Sequence, residues 1–265
     1  VPLNLVEKIE LISATLLFTY STKRMPAKKT ERKTRYRKTP GRRPNLLSCA
    51  EKVLDIWTKR EDALSRGVRA SNPKLIREAL GYFKVARGFP GLANTDVQKQ
   101  LASVIKRFKP LSNSGQLQRE RQVAKDVQQL RDRLTKRLNL TKEPLSAASK
   151  LLWLKYQDPF VIFDSQAVAA LEDLYRCGSR ITGYSEYIEQ WESAYKSLLP
   201  AVKTACVRLA KSLGTSRKWR NHKGLKGTVR RKWFVRRVFD QYLWQWGVKV
   251  LAARKGGVYA RCMNY

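Results

Sequence analysis

Apolar residues recur along most of this chain at intervals of three and four, the spacing that lays them on one stripe of an α-helix. The first clear run follows Ser48, where Ser48-x-x-Glu51 has the form of a capping box ahead of Ala50, Val53, Leu54 and Trp57. Asn72-Pro73 then offers an N-cap and a proline at the first helical position, and Leu75, Ile76, Ala79, Leu80 and Phe83 share one face before Gly88 and Pro90. Thr95-Asp96 opens a third helix carrying Val97, Leu101, Val104, Ile105 and Phe108, stopped by Pro110. A longer helix is predicted from about Gln116 to Leu138. Its Val123, Val127, Leu130 and Leu134 are near-heptad in spacing, over too short a stretch for a coiled coil. Helical segments follow at 145–156, 165–177, 184–199 and 201–213, and a last helix from about Arg230 to Ala253.

Only Phe160-Val161-Ile162-Phe163 reads as a strand, and it is short, isolated and without hairpin signals, so no sheet is expected. The predicted fold class is all-α: a multi-helix globular domain over 45–255 with a disordered basic N-terminal arm. Residues 1–44 form the extension and arm, and residues 256–265 a C-terminal tail.

The apolar stretch Leu11–Tyr20 has the length of a signal-peptide core, but Glu7 and Glu10 stand where positive charge belongs, and it is too short to span a bilayer. The character of the chain changes at Met25, its first methionine. The expectation is that translation begins there, or that residues 1–24 are a poorly determined extension. No membrane partner is expected.

Charge changes the picture most. The 265 residues carry 55 Lys+Arg against 21 Asp+Glu, a formal net charge of +34. Such an excess opposes compaction unless a polyanion neutralises it, and nucleic acid does so by exchanging condensed counterions for basic side chains. A thermophile-like surface would mix both signs in networks, which this chain does not do. The hydrophobic fraction of 43% is enough for a core, which argues against wholesale disorder.

Cys49, Cys177, Cys206 and Cys262 are too far apart for a zinc or redox pair, and His222 is the single histidine, so no metal and no cofactor are expected. Scattered cysteines fit buried free thiols in a reducing compartment. The expected location is the cytoplasm, or the nucleoid if the source is bacterial.

The basic residues gather in two blocks. From Lys23 to Arg43 there are eleven Lys/Arg and one acid, Glu31, with no apolar period. Lys28, Lys29, Arg32, Lys33, Arg35, Arg37, Lys38, Arg42 and Arg43 are its candidate nucleic-acid contacts; a plain solubilising tail is the simpler alternative. From Gly214 to Arg237 there are ten Lys/Arg and no acid, punctuated by glycines and by Trp219 and Trp233. Here the candidate contacts are Arg217, Lys218, Trp219, Arg220, His222, Lys223, Lys226, Arg230, Arg231 and Lys232. Glycines let backbone amides approach phosphates, and an aromatic ring can stack on an exposed base. The alternative is a surface loop that is basic by composition. His222 followed at a distance by Tyr265 invites comparison with tyrosine recombinases, but the upstream Arg and Lys elements are missing.

Candidate chemistry lies between the blocks. Asp158-Pro159 breaks one helix, and Asp164 stands just before the next, where its carboxylate can accept amide hydrogen bonds. Ile162, Phe163 and Val168 flank it, and Lys150 lies fourteen residues earlier on a helix that could pack beside it. A helix cap alone would justify Asp164, and an amphipathic surface position would justify Lys150. Asp240 reads as an ion-pair partner of Arg236 or Arg237, while Tyr187, Trp191 and Tyr195 read as core.

The phrase Ser149-Lys150-Leu-Leu-Trp, then Asp158-Pro159-Phe160-Val161-Ile162-Phe163-Asp164-Ser165, resembles bacterial proteins related to the helix-hairpin-helix DNA glycosylases. Arg236-Arg237-Val238-Phe239-Asp240 and the following residues to Gly247 are similar to a segment that accompanies it. The resemblance covers about 145–250. It implies that Asp164 stabilises an oxocarbenium-like sugar or activates water, and that Lys150 attacks the sugar carbon. Two features depart from that family: no glycine-rich hairpin precedes Lys150, and the Lys-to-Asp interval is shorter. The two basic blocks are expected to replace the missing hairpin grip.

The resulting expectation is a DNA-binding protein, DNA favoured over RNA, acting as a DNA N-glycosylase through Asp164 and Lys150. Its rival is a non-catalytic DNA- or RNA-binding protein on the same helical scaffold.

Overall fold

The computed structural model of the protein describes residues 41–111, 119–175, 180–216, 219 and 224–255. Among these residues there is no strand, and the fold is all-α, as the periodicity predicts. Most of the basic arm falls outside the described residues.

Helix α1 spans Leu46–Ile56 and starts a turn before the Ser48 capping box. Asn45 is the cap: its side-chain oxygen accepts from the amides of Leu47 at 2.8 Å and Ser48 at 3.2 Å. A π-helical turn at Trp57–Glu61 joins α1 to α2, Asp62–Arg69. Next come α3 (Pro73–Tyr82), capped by Asn72 with proline at its first position, and α4 (Thr95–Arg107), capped by Asn94. The long amphipathic helix is α5, Arg119–Arg137, with Val123, Val127, Leu130 and Leu134 all buried. Helices α6 (Leu145–Tyr156) and α7 (Ser165–Leu174) follow.

The segments expected on either side of position 200 are a single helix, α8, Tyr184–Ser212, with Pro200 inside it. A proline there removes one backbone hydrogen bond, which would ordinarily favour a break. Burial of Trp191 and Tyr195 before it, and of Val202, Cys206 and Leu209 after it, holds the two halves on one core face instead. The glycine-rich basic segment contains a short helix α9, Leu225–Thr228, preceded by Gly224 at a φ of 82°, a left-handed conformation that glycine adopts without strain. Helix α10, Lys232–Lys255, closes the fold.

One apolar core runs through these helices. Helix α10 packs most extensively on α7 and next on α1, while α6 is sandwiched against α2 and α5. The closeness of α10 to α7 depends on Gly247. A Cβ built there would lie 1.7 Å from the carbonyl oxygen of Gln166, far inside contact distance. This small residue therefore sets where the first turn of α7 sits.

The run Phe160–Phe163 is extended but pairs with no other strand among the described residues. Side chains satisfy its backbone instead. Tyr184 donates to the Val161 carbonyl at 2.9 Å and Tyr187 to the Ile162 carbonyl at 2.7 Å, and the Phe163 amide donates to Ser149 Oγ at 3.0 Å. Such a segment can be buried without a sheet because its donors and acceptors are paired locally. No described helix is long and apolar enough to cross a membrane.

Candidate functional site

The first turns of α6 place Ser146, Ser149 and Lys150 on one face, at i, i+3 and i+4. That face looks onto the extended run, and Asp164 ends the run as the cap of α7. Asp164 Oδ1 accepts from the Gln166 amide at 3.1 Å, which is the capping role read from sequence. Its Oδ2 accepts from Lys150 Nζ at 3.0 Å. The structure thus brings together the two residues singled out for chemistry.

Lys150 is not an amphipathic surface lysine. Its side chain is 4% exposed, whereas that of Asp164 is 21% exposed. Lys150 Nζ also donates to Ser146 Oγ at 2.9 Å, and Ser146 Oγ in turn donates to the Phe163 carbonyl at 2.8 Å. The Phe83 ring covers the amine at 5.7 Å. Burial lowers the pKa of Lys150, and the Arg237 charge pushes the same way, against the opposing pull of Asp164. Desolvation therefore outweighs the ion pair, so the neutral, nucleophilic amine is closer to hand here than at an exposed lysine. The α7 N-terminus adds a positive field at Asp164, favouring negative charge there.

Local sequence does not announce the frame around this pair. Glu61, fully buried in the π-turn, pairs with Arg237 at 2.7 Å across 176 residues of chain. Arg236 pairs with Glu192 at 2.7 Å and donates to the Pro159 carbonyl at 3.1 Å. The Arg236 guanidinium also lies 4.4 Å from the Trp191 ring, and that of Arg237 lies 5.1 Å from the Trp153 ring. These contacts tie α10 to the stretch that ends in Asp164.

Asp240 differs from its expected role. Its partner is Trp191 Nε1 at 2.8 Å, while Arg236 and Arg237 reach other acids. A helical i, i+3 or i+4 spacing permits an ion pair, but buried acids from other helices take both guanidiniums first. Burial pushes the Asp240 carboxyl up to about 6, with Arg237, Trp191 and Arg236 opposing. Tyr187, Trp191 and Tyr195 are core, as expected.

Of the candidate nucleic-acid contacts, Lys226, Arg230, Arg231 and Lys232 are exposed on and after α9. Lys232 pairs with Asp158 at 3.2 Å. Arg42 and Arg43 are exposed at the root of the arm. The Arg42 carbonyl accepts from Lys249, and the Arg43 guanidinium lies 5.9 Å from the Trp246 ring. Trp219 is only 7% exposed, so it packs as core rather than offering its faces to a base. Lys28, Lys29, Arg32, Lys33, Arg35, Arg37, Lys38, Arg217, Lys218, Arg220, His222 and Lys223 lie outside the described residues.

Among the described residues no group of three or more His, Cys, Asp or Glu stands where it could hold a metal. The chain matches no protein-family model, no curated protein and no solved structure.

Proposed function

We propose that the protein binds DNA and excises a modified base, with Asp164 as the catalytic carboxylate and Lys150 as the amine beside it. The observation that carries this reading is the 3.0 Å contact between a buried lysine and a more exposed carboxylate at a helix N-terminus. The net charge of +34 supports a polyanionic partner, and the exposed residues from Lys226 to Lys232 offer it phosphate contacts. The buried free thiols of Cys49 and Cys206 fit a reducing compartment such as the cytoplasm.

In this reading the target nucleotide leaves the duplex, at a cost of about a few kcal/mol that phosphate contacts offset. The glycosidic bond breaks with its electron pair going to the departing base, and Asp164 stabilises the positive charge left on the sugar. Two completions are open to this pair. Water adds to the sugar carbon and gives a proton to Asp164. Alternatively Lys150 nitrogen bonds to that carbon and passes its proton to Asp164, for which the amine must first leave Ser146.

Duplexes each bearing one oxidised, alkylated or deaminated base test the reading. Base release is expected from at least one of them. It should be lost in Asp164→Asn with binding retained, because asparagine still caps a helix but carries no charge. Borohydride should trap a covalent adduct only if the amine route operates, and Lys150→Gln should then abolish the adduct. Equal activity in Asp164→Asn sinks the assignment of that residue.

A second reading has its own support. Both oxygens of Asp164 are already engaged, one by the Gln166 amide and one by Lys150. A non-catalytic DNA- or RNA-binding protein would need nothing more of them. Tight binding with no base release from any duplex favours that reading.

A further inference from the structure

The far end of α6 borders a cavity of about 330 Å³, at the lower limit of small-molecule sites. Its walls come from four places: the π-turn, the two ends of α2, the residue after α6, and the basic segment from α9 into the first turn of α10. Arg69 and Arg231 approach it from separate elements, and both are exposed with no ion-pair partner among the described residues. Gln157, held at a φ of 61°, adds a side-chain amide, and Thr58 and Thr228 add hydroxyls. The one acid in the wall, Asp62, is already paired with Arg66. A π-turn beside a polar cavity is a common mark of a functional site.

Two guanidiniums with no countercharge, beside further polar donors, form a set that matches an oxyanion bearing several acceptor oxygens. Guanidinium suits phosphate in particular, since its planar fork can donate two parallel bonds. We propose that this cavity binds a phosphate ester of nucleotide size, held by Arg69 and Arg231. The volume exceeds what a bare phosphate fills, leaving room for the attached nucleoside against the Trp57 and Trp233 edges of the wall. Gln157 lies seven residues beyond Lys150, about 10 Å along the α6 direction, so the cavity is separate from the Lys150–Asp164 pair. The proposal stands whether or not that pair cleaves a glycosidic bond.

Calorimetric titration of the full chain with a nucleoside monophosphate, its parent nucleoside and inorganic phosphate tests this. The monophosphate should bind saturably and the nucleoside should not. Arg69→Met with Arg231→Met should weaken the monophosphate by about tenfold or more, the loss of a charge-assisted contact or two. A control pair, Arg87→Met with Arg107→Met, removes the same charge from exposed sites elsewhere and should change affinity less than about twofold, as a screened field effect. Equal losses in the two pairs overturn the proposal, because only the overall field is then at work. So does nucleoside binding as tight as the monophosphate, or no saturable binding at low salt.

Competition then identifies the source of the ester. A strand backbone in the cavity makes 5′-phosphorylated and 5′-hydroxyl oligonucleotides compete equally. A strand end makes only the phosphorylated one compete, and a free nucleotide site is displaced by neither. Each of these three results requires the phosphate ester site.

Discussion

At the scale of single residues, the Lys150–Asp164 pair is asymmetric, and its asymmetry makes a prediction. Burial dominates the environment of Lys150, so the amine is a net burden that Asp164 only partly relieves. Lys150→Met, which keeps the stem and removes the charge, should leave stability within about 1 kcal/mol of the parent or above it, because the Asp164 left behind is more exposed and still accepts the Gln166 amide. Asp164→Ala should be worse, by about 3–5 kcal/mol, because it removes the α7 cap and strands a buried cation. The pH dependence follows from the sign of the shift. Without Asp164 the folded chain holds the Lys150 proton more weakly still, while the unfolded chain keeps it up to the ordinary lysine value. The deficit of Asp164→Ala should therefore shrink as pH rises toward that value. Urea denaturation of both variants at pH 7 and pH 10 checks the order and the trend; a deficit that grows with pH contradicts this account.

At the scale of elements, two contacts fix α10 against the rest. Gly247→Ala would improve helix propensity by about 1 kcal/mol in an exposed helix. Here the added methyl meets the Gln166 backbone, and overpacking of this kind costs about 1–3 kcal/mol, so a net loss of stability is expected. Because Gln166 follows Asp164 by two residues, the same change should displace the carboxylate and, under the proposed function, weaken base release more than DNA binding. Denaturation midpoints and excision rates measured on one preparation test both halves, and a stabilised variant would show that α7 moves freely. The second contact joins α8 to α10 through Trp191 and Asp240. Asp240 keeps its proton up to about pH 6 in the folded chain and loses it near 3.8 when unfolded. The folded state thus binds more protons in that window, and wild-type stability should fall as pH rises through it. Asp240→Asn lacks this fall, so it should gain on the wild type between pH 4 and pH 7. A constant difference across that range would contradict the shift.

At the scale of the whole molecule, charge is the property that matters. If the protein binds DNA as proposed, its affinity should fall linearly with salt on logarithmic axes, with a slope of about −0.9 for each phosphate neutralised on the duplex. Deleting residues 1–40 should leave thermal stability near the parent, because the apolar core of the described residues is assembled from Leu46 onward. The salt slope of that deletion should become shallower by about 0.9 for each contact the arm makes. An unchanged slope would make the arm a solubilising tail and leave Lys226 to Lys232 as the main grip.

The local pattern of the chain was sufficient for most of its helices, though it gave neither α2 nor α9 and divided α8 at Pro200. Stripes at three and four, the Asn72-Pro73 start and the Pro110 stop are short-range statements, and helices are short-range structures. Asp164 as a cap was legible for the same reason, since a cap bonds an amide two residues away. Neighbours within a turn do not determine contacts made across the fold. Pro200 does not end α8 because apolar residues on both sides share one core face, and the guanidiniums of Arg236 and Arg237 turn to Glu192 and Glu61 rather than to Asp240. Burial decided the rest. Whether Lys150 is a solvated stem or a desolvated amine against Asp164 depends on Phe83 and Arg237, which the chain brings in from 67 residues before it and 87 after it. The meeting of Arg69 and Arg231 at one cavity has the same origin. Desolvation and charge pairing are set by distance in space, and sequence order constrains that distance only within a helical turn or two.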